Sequence, residues 1–314
     1  MTLDPKTTAF LFPGQGSQKV GMGKELAAAH PEARQVFEEA DATLGIGLST
    51  LAWDGPEAEL NDTVNTQPAL LVHSVAALRV LQKLQPGFTP AYVAGHSLGE
   101  LSAAVAAGAM DYPAALRLVR RRGELMKEAG AQQPGGMAAI LGLDIPALDA
   151  ICAEASTDGE VVQVANDNCP GQVVISGHAG AVTRAMEAAK AAGAKRALPL
   201  PVSIAAHSAL MSTAQAGFNE AVAAANIVDP TTPLIGNVSA APLADAAALR
   251  ADLQAQLTSR VRWTETIQAL RAAGVTTFIE LGTGNVLAGL LKRIDAEAVG
   301  LALGTPEDFE KLAG

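Results

Sequence analysis

The stretch AYVAGHSLGELSAAVAAGAM, residues 91–110, decides the fold expected for this chain. A short apolar run leads into a G-x-S-x-G turn, and an alanine-rich segment follows at once. This is the nucleophile-elbow pattern, in which Gly95 and Gly99 permit a sharp turn and close packing of strand on helix. The turn pushes the oxygen of Ser97 outward. Ser97 as an ordinary helix N-cap stays an alternative, because serine and glycine are common residues.

The segments around this stretch repeat the alternation of strand and helix. TTAFLFPGQGSQ, residues 7–18, predicts a buried strand that ends in a tight loop. Helical periodicity follows in residues 31–44 and 68–84. Short apolar strands that alternate with helices predict a parallel α/β sheet covered on both faces.

Residues 132–201 show a different order of elements. Their pattern reads strand, helix, strand, strand, helix and strand, which is the ferredoxin-like order. We therefore expect a large α/β domain made of residues 1–131 and 202–314, with a small ferredoxin-like subdomain of residues 132–201 inserted into it. The α/β pattern resumes after the insertion and is expected to end with the helix of residues 284–294.

The composition narrows the class of protein. The 314 residues carry a net charge of −10, and only 4% of them are aromatic. This charge disfavours broad contact with nucleic acid or anionic membranes, and the few aromatic residues disfavour stacking on single-stranded nucleic acid. The two cysteines lack metal spacing, the residues MTLDPKTTAF do not show the pattern of a signal peptide, and no apolar run is long enough to span a bilayer. We expect a soluble, cytoplasmic protein.

A nucleophilic serine needs a base to take its proton. The sequence offers five histidines: His30, His73, His96, His178 and His207. His207 is the preferred base because it follows a strand and precedes a helix, where sites in open α/β sheets gather. His96 adjoins Ser97, and neighbouring side chains on a turn usually point apart. A plain loop histidine, with Ser208 as a helix cap, is nearly as consistent with the spacing around His207.

Three consecutive arginines, Arg120, Arg121 and Arg122, lie near a predicted helix end. Such a run is usually a solvated face. Three consecutive helical positions point in different directions, however, so one arginine can turn inward. A buried arginine beside a site would serve as a bidentate receptor for a carboxylate.

The glycine-rich loop PGQGSQ, residues 13–18, does not have the spacing of a phosphate-binding loop. Gln15, framed by two glycines at a strand end, could instead offer its backbone N–H to a site.

Taken together, these stretches resemble the malonyl-CoA:acyl carrier protein transacylases. The resemblance covers nearly the whole chain and is carried by nine motifs in order, which are FLFPGQGSQKVGMG, NTQPALL, AGHSLGEL, RRRGELM, GGMAAILGL, NDNCPGQVVISG, AAGAKRALPLPVS, AAHSALM and ELGTGNVLAGLLKRI. The family implies a hydrolase-like α/β domain with an inserted ferredoxin-like one, in agreement with the pattern above.

The resemblance also implies roles for individual residues. Ser97 matches the acyl-carrying nucleophile and His207 its base. The backbone N–H groups of Gln15 and Leu98 match the oxyanion hole. Arg122 matches the residue that grips the free malonyl carboxylate. The positions that match the lining of the substrate pocket are Gln67, Met126 and Asn166.

This chain departs from the family in two places. The family lacks an acidic third member, and its histidine is oriented by a backbone carbonyl in the loop before the tryptophan that here is Trp263. Many members carry glutamine just before that tryptophan, whereas this chain has Arg262. If only the carbonyl matters, the change is harmless, and we expect that. Ala205 and Ala206 also stand where relatives vary, and these positions border the acyl pocket.

The implied substrates are malonyl-CoA and a phosphopantetheinylated acyl carrier protein, with no metal or redox cofactor and a monomeric enzyme. Three alternatives share parts of the pattern. They are an acyltransferase that serves a polyketide assembly line, a serine thioesterase, and a non-catalytic module that docks carrier protein. Lys190, Lys195 and Arg196 of the small subdomain could meet an acidic carrier protein, although a solvated helix end explains them equally. Glu100 is interpreted as a first-turn helix residue suited to the helix dipole.

Overall fold

The computed structural model describes residues 3–313, and its strands form two sheets. The strands are β1 (Thr8–Phe12), β2 (Tyr92–Gly95), β3 (Gly135–Leu141), β4 (Val162–Cys169), β5 (Gln172–His178), β6 (Arg196–Pro199), β7 (Leu234–Ile235), β8 (Pro242–Leu243), β9 (Val261–Arg262), β10 (Thr277–Leu281) and β11 (Val299–Leu303).

The α-helices cover both sheets. They are α1 (Lys24–Ala29), α2 (Pro31–Leu44), α3 (Leu48–Asp54), α4 (Glu57–Leu60), α5 (Thr63–Leu84), α6 (Gly99–Ala106), α7 (Tyr112–Gln132), α8 (Ile145–Ala155), α9 (Ala179–Ala191), α10 (Ser212–Ala224), α11 (Ala246–Gln256), α12 (Trp263–Ala272), α13 (Val286–Ile294) and α14 (Pro306–Ala313). Two 3-10 turns, Pro5–Thr7 and Ala209–Met211, complete the set. Between residues 3 and 313, no helix combines the length and the apolar character needed to cross a membrane.

The larger sheet has the strand order β11-β10-β1-β2-β7-β8. Its neighbouring strands are parallel, apart from the antiparallel pair of β7 and β8. All five residues of the central strand β1 are buried, as expected for an apolar strand with helices on both faces. The parallel arrangement places the carboxyl ends of β1, β2 and β7 at one edge, where the loops that follow them meet.

The smaller sheet has the order β6-β3-β5-β4-β9. Its first four strands pair with one another in antiparallel fashion, and the series β3, α8, β4, β5, α9, β6 is the predicted ferredoxin-like order. Apolar residues of α8 and α9 pack against the sheet in a core of their own, which includes Ile140, Leu148 and Val182. The predicted fold class, a parallel α/β layer with an inserted α+β unit, is therefore confirmed.

The strand β9 links the two parts of the molecule. It lies beyond residues 132–201, yet it pairs in parallel with β4 of the smaller sheet through Val261 and Asn166. Two residues are too short to give a strand signal in the sequence. The division into residues 1–131, 132–201 and 202–314 stays a prediction.

The alternation does not end with the helix of residues 284–294, as the sequence pattern predicts. The strand β11 follows, pairs with β10 at the sheet edge, and leads into α14. Gly300 interrupts its short apolar run, which weakens the strand signal. A Cβ at Gly300 would lie 3.1 Å from the Leu291 side chain of α13, so this glycine serves a close approach of strand and helix.

Candidate active site

Ser97 lies on a sharp turn between β2 and α6. Its φ is 53°, a left-handed value that non-glycine residues seldom adopt. A Cβ on Gly95 would lie 1.9 Å from the carbonyl oxygen of Gly99, and a Cβ on Gly99 would lie 2.2 Å from the carbonyl oxygen of Phe12. The crossing of strand and helix therefore requires glycine at both positions, as the G-x-S-x-G spacing predicts.

Asn237, in the loop after β7, holds this turn in place. Its Oδ1 accepts a hydrogen bond of 2.8 Å from the backbone N–H of Ser97, and its Nδ2 donates one of 2.7 Å to the carbonyl oxygen of Gly95. An uncommon backbone conformation persists only where its surroundings fix it, and this buried amide does so. Sequence reasoning missed Asn237. Its position just after a strand of the parallel sheet was the available signal.

His207 lies against Ser97, although 110 residues separate them in the chain. The distance from Ser97 Oγ to His207 Nε2 is 2.8 Å. On the other side of the ring, Nδ1 faces two backbone carbonyl oxygens, that of Gln256 at 2.9 Å and that of Ser259 at 3.2 Å. Because a carbonyl oxygen only accepts, Nδ1 carries the proton and Nε2 is free to accept the serine proton.

The Nδ1 acceptors lie in the segment before Trp263, as the family resemblance implies. The side chain of Arg262 points elsewhere, to Glu265 and to the carbonyl oxygens of Val238 and Ser239. Neither acceptor of His207 belongs to Arg262, so arginine at this position leaves the orientation of the histidine unchanged.

The surroundings of His207 keep its ring neutral. Burial first, and then the positive charge of Arg122, lower the pKa of His207 to about 3. The backbone carbonyls of Gln256 and Ser259 oppose this shift and raise the pKa in part. A histidine with this pKa is a free base at neutral pH, and it becomes protonated only while it holds a proton taken from a reacting group.

This lowered pKa predicts the pH dependence of Ser97 reactivity. Because the neutral form of His207 persists until the pH approaches its pKa of about 3, we expect labelling of Ser97 by a sulfonyl fluoride to stay fast at pH values well below 6. An ordinary histidine would lose its base form at about pH 6.5. The measurement is the labelling rate against pH, with Ser97→Ala as the blank. A midpoint near pH 6.5 would contradict the expectation.

The three consecutive arginines of α7 separate as helical geometry requires. Arg120 and Arg121 form ion pairs with Glu124 at the surface, whereas Arg122 is only 2% exposed. Gly123 allows α7 to approach α5 closely, since a Cβ there would lie 2.9 Å from the carbonyl oxygen of Thr63. Arg122 is thereby turned into the space between α5, α6 and α11.

The guanidinium of Arg122 is held by neutral acceptors. Its NH1 donates to Gln67 Oε1 at 2.7 Å, and its NH2 donates to Gln256 Oε1 at 2.7 Å and to Ser97 Oγ at 3.1 Å. Within residues 3–313, it forms no ion pair with a carboxylate. Burial lowers the pKa of Arg122 to about 10, so the group is still positive at neutral pH. The site thus presents a buried, unpaired cation beside the Ser97 oxygen.

A chain of hydrogen bonds connects Arg122 to further predicted site residues. Gln67 Nε2 donates to Thr63 Oγ1 at 2.8 Å and contacts Met126 Sδ at 3.4 Å. Thr63 Oγ1 donates in turn to Gln15 Oε1 at 2.9 Å. The loop after β1 is therefore tied to the helix pair that holds the arginine.

The backbone N–H groups of Gln15 and Leu98 come from the loop after β1 and from the start of α6. Neither makes a hydrogen bond to another residue in the part of the chain that the structure describes. Two free donors on loops that meet at the same sheet edge can stabilise a developing oxyanion.

Asn166 lies apart from this chain of contacts. It is buried on β4, beside Val261 of β9, and among residues 3–313 its side chain makes no hydrogen bond to the other predicted site residues. On the same strand, Gln163 supports the His207 loop. Its Nε2 donates to the carbonyl oxygen of His207 at 3.2 Å, and its Oε1 accepts from the N–H of Ala209 at 3.2 Å.

His96, the neighbour of Ser97, points away from the serine oxygen. Its Nε2 lies 2.8 Å from Asn168 Oδ1, and its ring meets the edge of Trp263 with centroids 5.4 Å apart. This arrangement agrees with the expectation that adjacent side chains on the turn diverge.

Gln256 is a second site residue that sequence reasoning missed. Its carbonyl oxygen accepts from His207 Nδ1, its Oε1 accepts from Arg122, and its Nε2 donates to the carbonyl oxygen of Ser97 at 3.1 Å and to Glu100 Oε2. It ends α11, a helix that no motif marks. No spacing in the sequence connects it to the elbow.

The described residues offer no alternative centre for metal chemistry. Between residues 3 and 313, no three His, Cys, Asp or Glu side chains are grouped to hold a metal ion. Both cysteines, Cys152 and Cys169, are free and buried. Burial raises the pKa of both thiols, that of Cys152 to about 12, so neither is a ready nucleophile.

Known proteins are similar to this chain in sequence and fold. The family described as "Acyl transferase domain" matches residues 9–297. The malonyl CoA-acyl carrier protein transacylase of Bacillus subtilis is 49% identical over 302 residues, 96% of this chain and 95% of its own. The structure of the corresponding transacylase from Coxiella burnetii superposes with a TM-score of 0.95, at 42% identity, over 98% of this chain and 97% of that one.

A further similar structure holds a carrier protein. It is a malonyl-transacylase in complex with the acyl-carrier protein of a type II PKS, and it is 45% identical to this chain with a TM-score of 0.94. The match covers 97% of this chain and 98% of that one.

Proposed function

This chain belongs to the acyl transferase domain family, among the malonyl CoA-acyl carrier protein transacylases, and we propose that it carries the malonyl group as an ester on Ser97. It transfers malonyl from malonyl-CoA to acyl carrier protein, the step that supplies malonyl units for fatty acid synthesis. The proposal concerns how the residues of the site perform this transfer.

The observation that carries the proposal is the position of Arg122. Burial of an arginine without a carboxylate partner lowers the stability of the folded protein. Arg122 is buried in this way, and its NH2 lies 3.1 Å from Ser97 Oγ. A malonyl group on that oxygen has a free carboxylate a few bonds away. Its two oxygens can receive the guanidinium fork and replace the serine oxygen as acceptor, so that the buried charge is paired in the acylated state.

The first half-reaction forms the ester. His207 Nε2 takes the Ser97 Oγ proton while the oxygen attacks the thioester carbonyl carbon of malonyl-CoA. The resulting oxyanion lies at the N–H groups of Gln15 and Leu98, where loss of one donor typically costs roughly 3 kcal/mol of barrier. Collapse of the tetrahedral intermediate breaks the carbon–sulfur bond, and the CoA sulfur receives the proton from His207.

The second half-reaction reverses these roles. The phosphopantetheine thiol of the carrier protein gives its proton to His207 and attacks the malonyl ester. The carbon–oxygen bond breaks, and Ser97 Oγ takes the proton back. Gln256 and Ser259 stabilise the transient imidazolium through their carbonyl oxygens, the role that a carboxylate plays in the usual triad. Each step is a proton transfer or a nucleophilic attack by these groups, and we propose that no further cofactor takes part.

The partner and cellular setting extend this proposal. The complex of a similar malonyl-transacylase with a carrier protein supports an acyl carrier protein as the partner of this chain. Lys190 near the end of α9, Lys195 in the loop that follows and Arg196 at the start of β6 stay a candidate docking patch. The monomeric state and the cytoplasmic location also stay predictions.

A thioesterase would use the same elbow, and the distribution of the product separates it from a transferase. With malonyl-CoA and a carrier protein that bears phosphopantetheine, we expect malonyl to appear on the carrier-protein thiol much faster than as free malonate. The measurement is the ratio of the two products by mass spectrometry, with a carrier protein that lacks phosphopantetheine as the control. If free malonate were the main product in the presence of the carrier protein that bears phosphopantetheine, the chain would be a hydrolase. No transfer at all would indicate a docking module.

A further inference from the structure

A buried pair of carboxyl groups lies behind the Arg122 site and takes no part in the steps above. Glu100, on the first turn of α6, has 0% exposure, and Asp252 of α11 has 6%. Their carboxyl groups lie close enough together to share one proton. Gln256 lies one helical turn after Asp252 and stands between this pair and Arg122.

The hydrogen bonds around the pair indicate which carboxyl group holds a proton. Asp252 accepts from the backbone N–H groups of Val238 and Ser239, at 3.1 Å each, so both of its oxygens already have a donor. Glu100 accepts from Gln256 through Oε2, but its buried Oε1 finds no N–H or O–H donor within residues 3–313. A proton on Oε1 that is donated to Asp252 would satisfy both oxygens. Two ionised carboxylates in contact would repel each other.

The electrostatics agree with this assignment. Burial raises the pKa of Glu100 well above its ordinary value, and the charge and the close carboxyl group of Asp252 add to the shift, whereas Gln256 and the backbone of Asn237 oppose it in part. The charged groups that face Glu100 are Asp252 from α11 and Arg122 from α7.

We propose that Glu100 is held as a neutral carboxylic acid and positions Arg122 through the side chain of Gln256. The acid presents a carbonyl-type acceptor, Oε2, to the amide NH2 of Gln256. The carbonyl oxygen of Ser97 is a second acceptor for the same NH2. With its NH2 fixed on that side, the amide must turn Oε1 toward the donors of Arg122. A reversed amide would set NH2 against guanidinium.

The neutral state of Glu100 also affects the charge of the site. An ionised Glu100 would partly compensate Arg122 and weaken its attraction for the substrate carboxylate. A protonated Glu100 fixes the geometry of the arginine and leaves its positive charge to the malonyl group. Glu100 is thus a positioning residue, since it touches neither substrate nor reacting atoms.

This inference rests on the proposed function, because it assigns the support of the malonyl-binding arginine. The test compares Glu100→Gln with Glu100→Met. Glutamine reproduces the neutral acid, with an NH2 for Asp252 and an oxygen for Gln256, and should keep KM for malonyl-CoA within about threefold of wild type. Methionine has similar length but satisfies neither neighbour. We expect it to raise that KM about tenfold or more and to lower the preference for malonyl-CoA over acetyl-CoA. Glu25→Gln is the matched control, because Glu25 is the second residue of α1 and is exposed.

Two outcomes would overturn the proposal. A folded Glu100→Gln enzyme with a malonyl KM raised as much as in Glu100→Met would show that the ionised form is required. A Glu100→Met enzyme with unchanged malonyl-over-acetyl preference would show a merely structural role.

Infrared difference spectra of wild type minus Glu100→Gln give a readout that does not depend on catalysis. The carbonyl stretch of a protonated carboxylic acid should be present at neutral pH, and only carboxylate bands there would contradict the inference. Failure of wild-type malonyl transfer would refute the proposed function and leave this spectroscopic result in place.

Discussion

Replacement of His207 by alanine is expected to lower kcat for malonyl transfer by about 10³-fold to 10⁴-fold. General-base catalysis by a positioned histidine contributes roughly 10² to 10⁴, and here the same ring serves both half-reactions. His207 Nε2 lies 2.8 Å from Ser97 Oγ, and among residues 3–313 no second histidine bonds to that oxygen. The measurement is kcat for transfer to carrier protein, with the fold checked by circular dichroism.

His30→Ala is the control for this variant, because His30 stands at the N-terminus of α2, where its side chain makes no capping hydrogen bond. It should keep wild-type kcat. If His207→Ala retained more than about a tenth of wild-type kcat, proton transfer by another group would have to be sought.

Replacement of Arg122 by alanine is expected to reverse the acyl preference of the enzyme. Removal of one partner of a buried, hydrogen-bonded charge pair typically costs about 2–5 kcal/mol, so kcat/KM for malonyl-CoA should fall at least about 30-fold. Acetyl-CoA has no carboxylate to lose, and its kcat/KM should rise or stay constant. The measurement is kcat/KM for both thioesters in wild type and variant.

Arg121→Ala is the matched control, since it removes the neighbouring arginine from the exposed face of α7. It should leave both kcat/KM values unchanged. A variant of Arg122 that still prefers malonyl-CoA by the wild-type ratio would show that another cation binds the carboxylate. Arg122→Ala also leaves Gln67 Oε1 and Gln256 Oε1 without their donor, so its thermal stability should be measured alongside.

Much of the fold follows from the sequence because its strands are short, apolar and bounded by glycine or proline. The residues of β1 and the G-x-S-x-G turn predict a parallel sheet with an elbow, and the β-α-β-β-α-β order predicts the inserted unit. The two-residue strands β8 and β9 could not be predicted, because so few residues carry no periodicity. Their pairing depends on neighbours far away in the chain.

Some residues of the candidate site can be predicted from the sequence, and others cannot. Ser97 and Arg122 have local signals, a glycine-framed turn and a run of arginines of which one can face inward. His207 has a weaker one, its position between a strand and a helix, and the family resemblance strengthens it. Asn237 has only its position after a strand of the parallel sheet, and Gln256 has no local signal, because their importance lies in hydrogen bonds to residues more than a hundred positions away.

Glu100 shows most clearly what cannot be predicted from the sequence alone. An acidic residue on the first turn of a helix is well explained by the helix dipole, and the structure does place it on that turn. Its complete burial and its contact with Asp252 depend on where α11 packs. Only the folded arrangement shows that this carboxyl group lies among groups that favour its neutral form.

The central claim, a malonyl ester on Ser97, is tested most directly by intact mass after incubation with malonyl-CoA in the absence of carrier protein. Wild type should gain one malonyl group, and peptide mapping should place it on Ser97. Addition of carrier protein with a free phosphopantetheine thiol should remove it. Ser97→Ala should gain nothing. A malonyl adduct that persists in Ser97→Ala, or transfer to carrier protein by that variant at the wild-type rate, would contradict the mechanism.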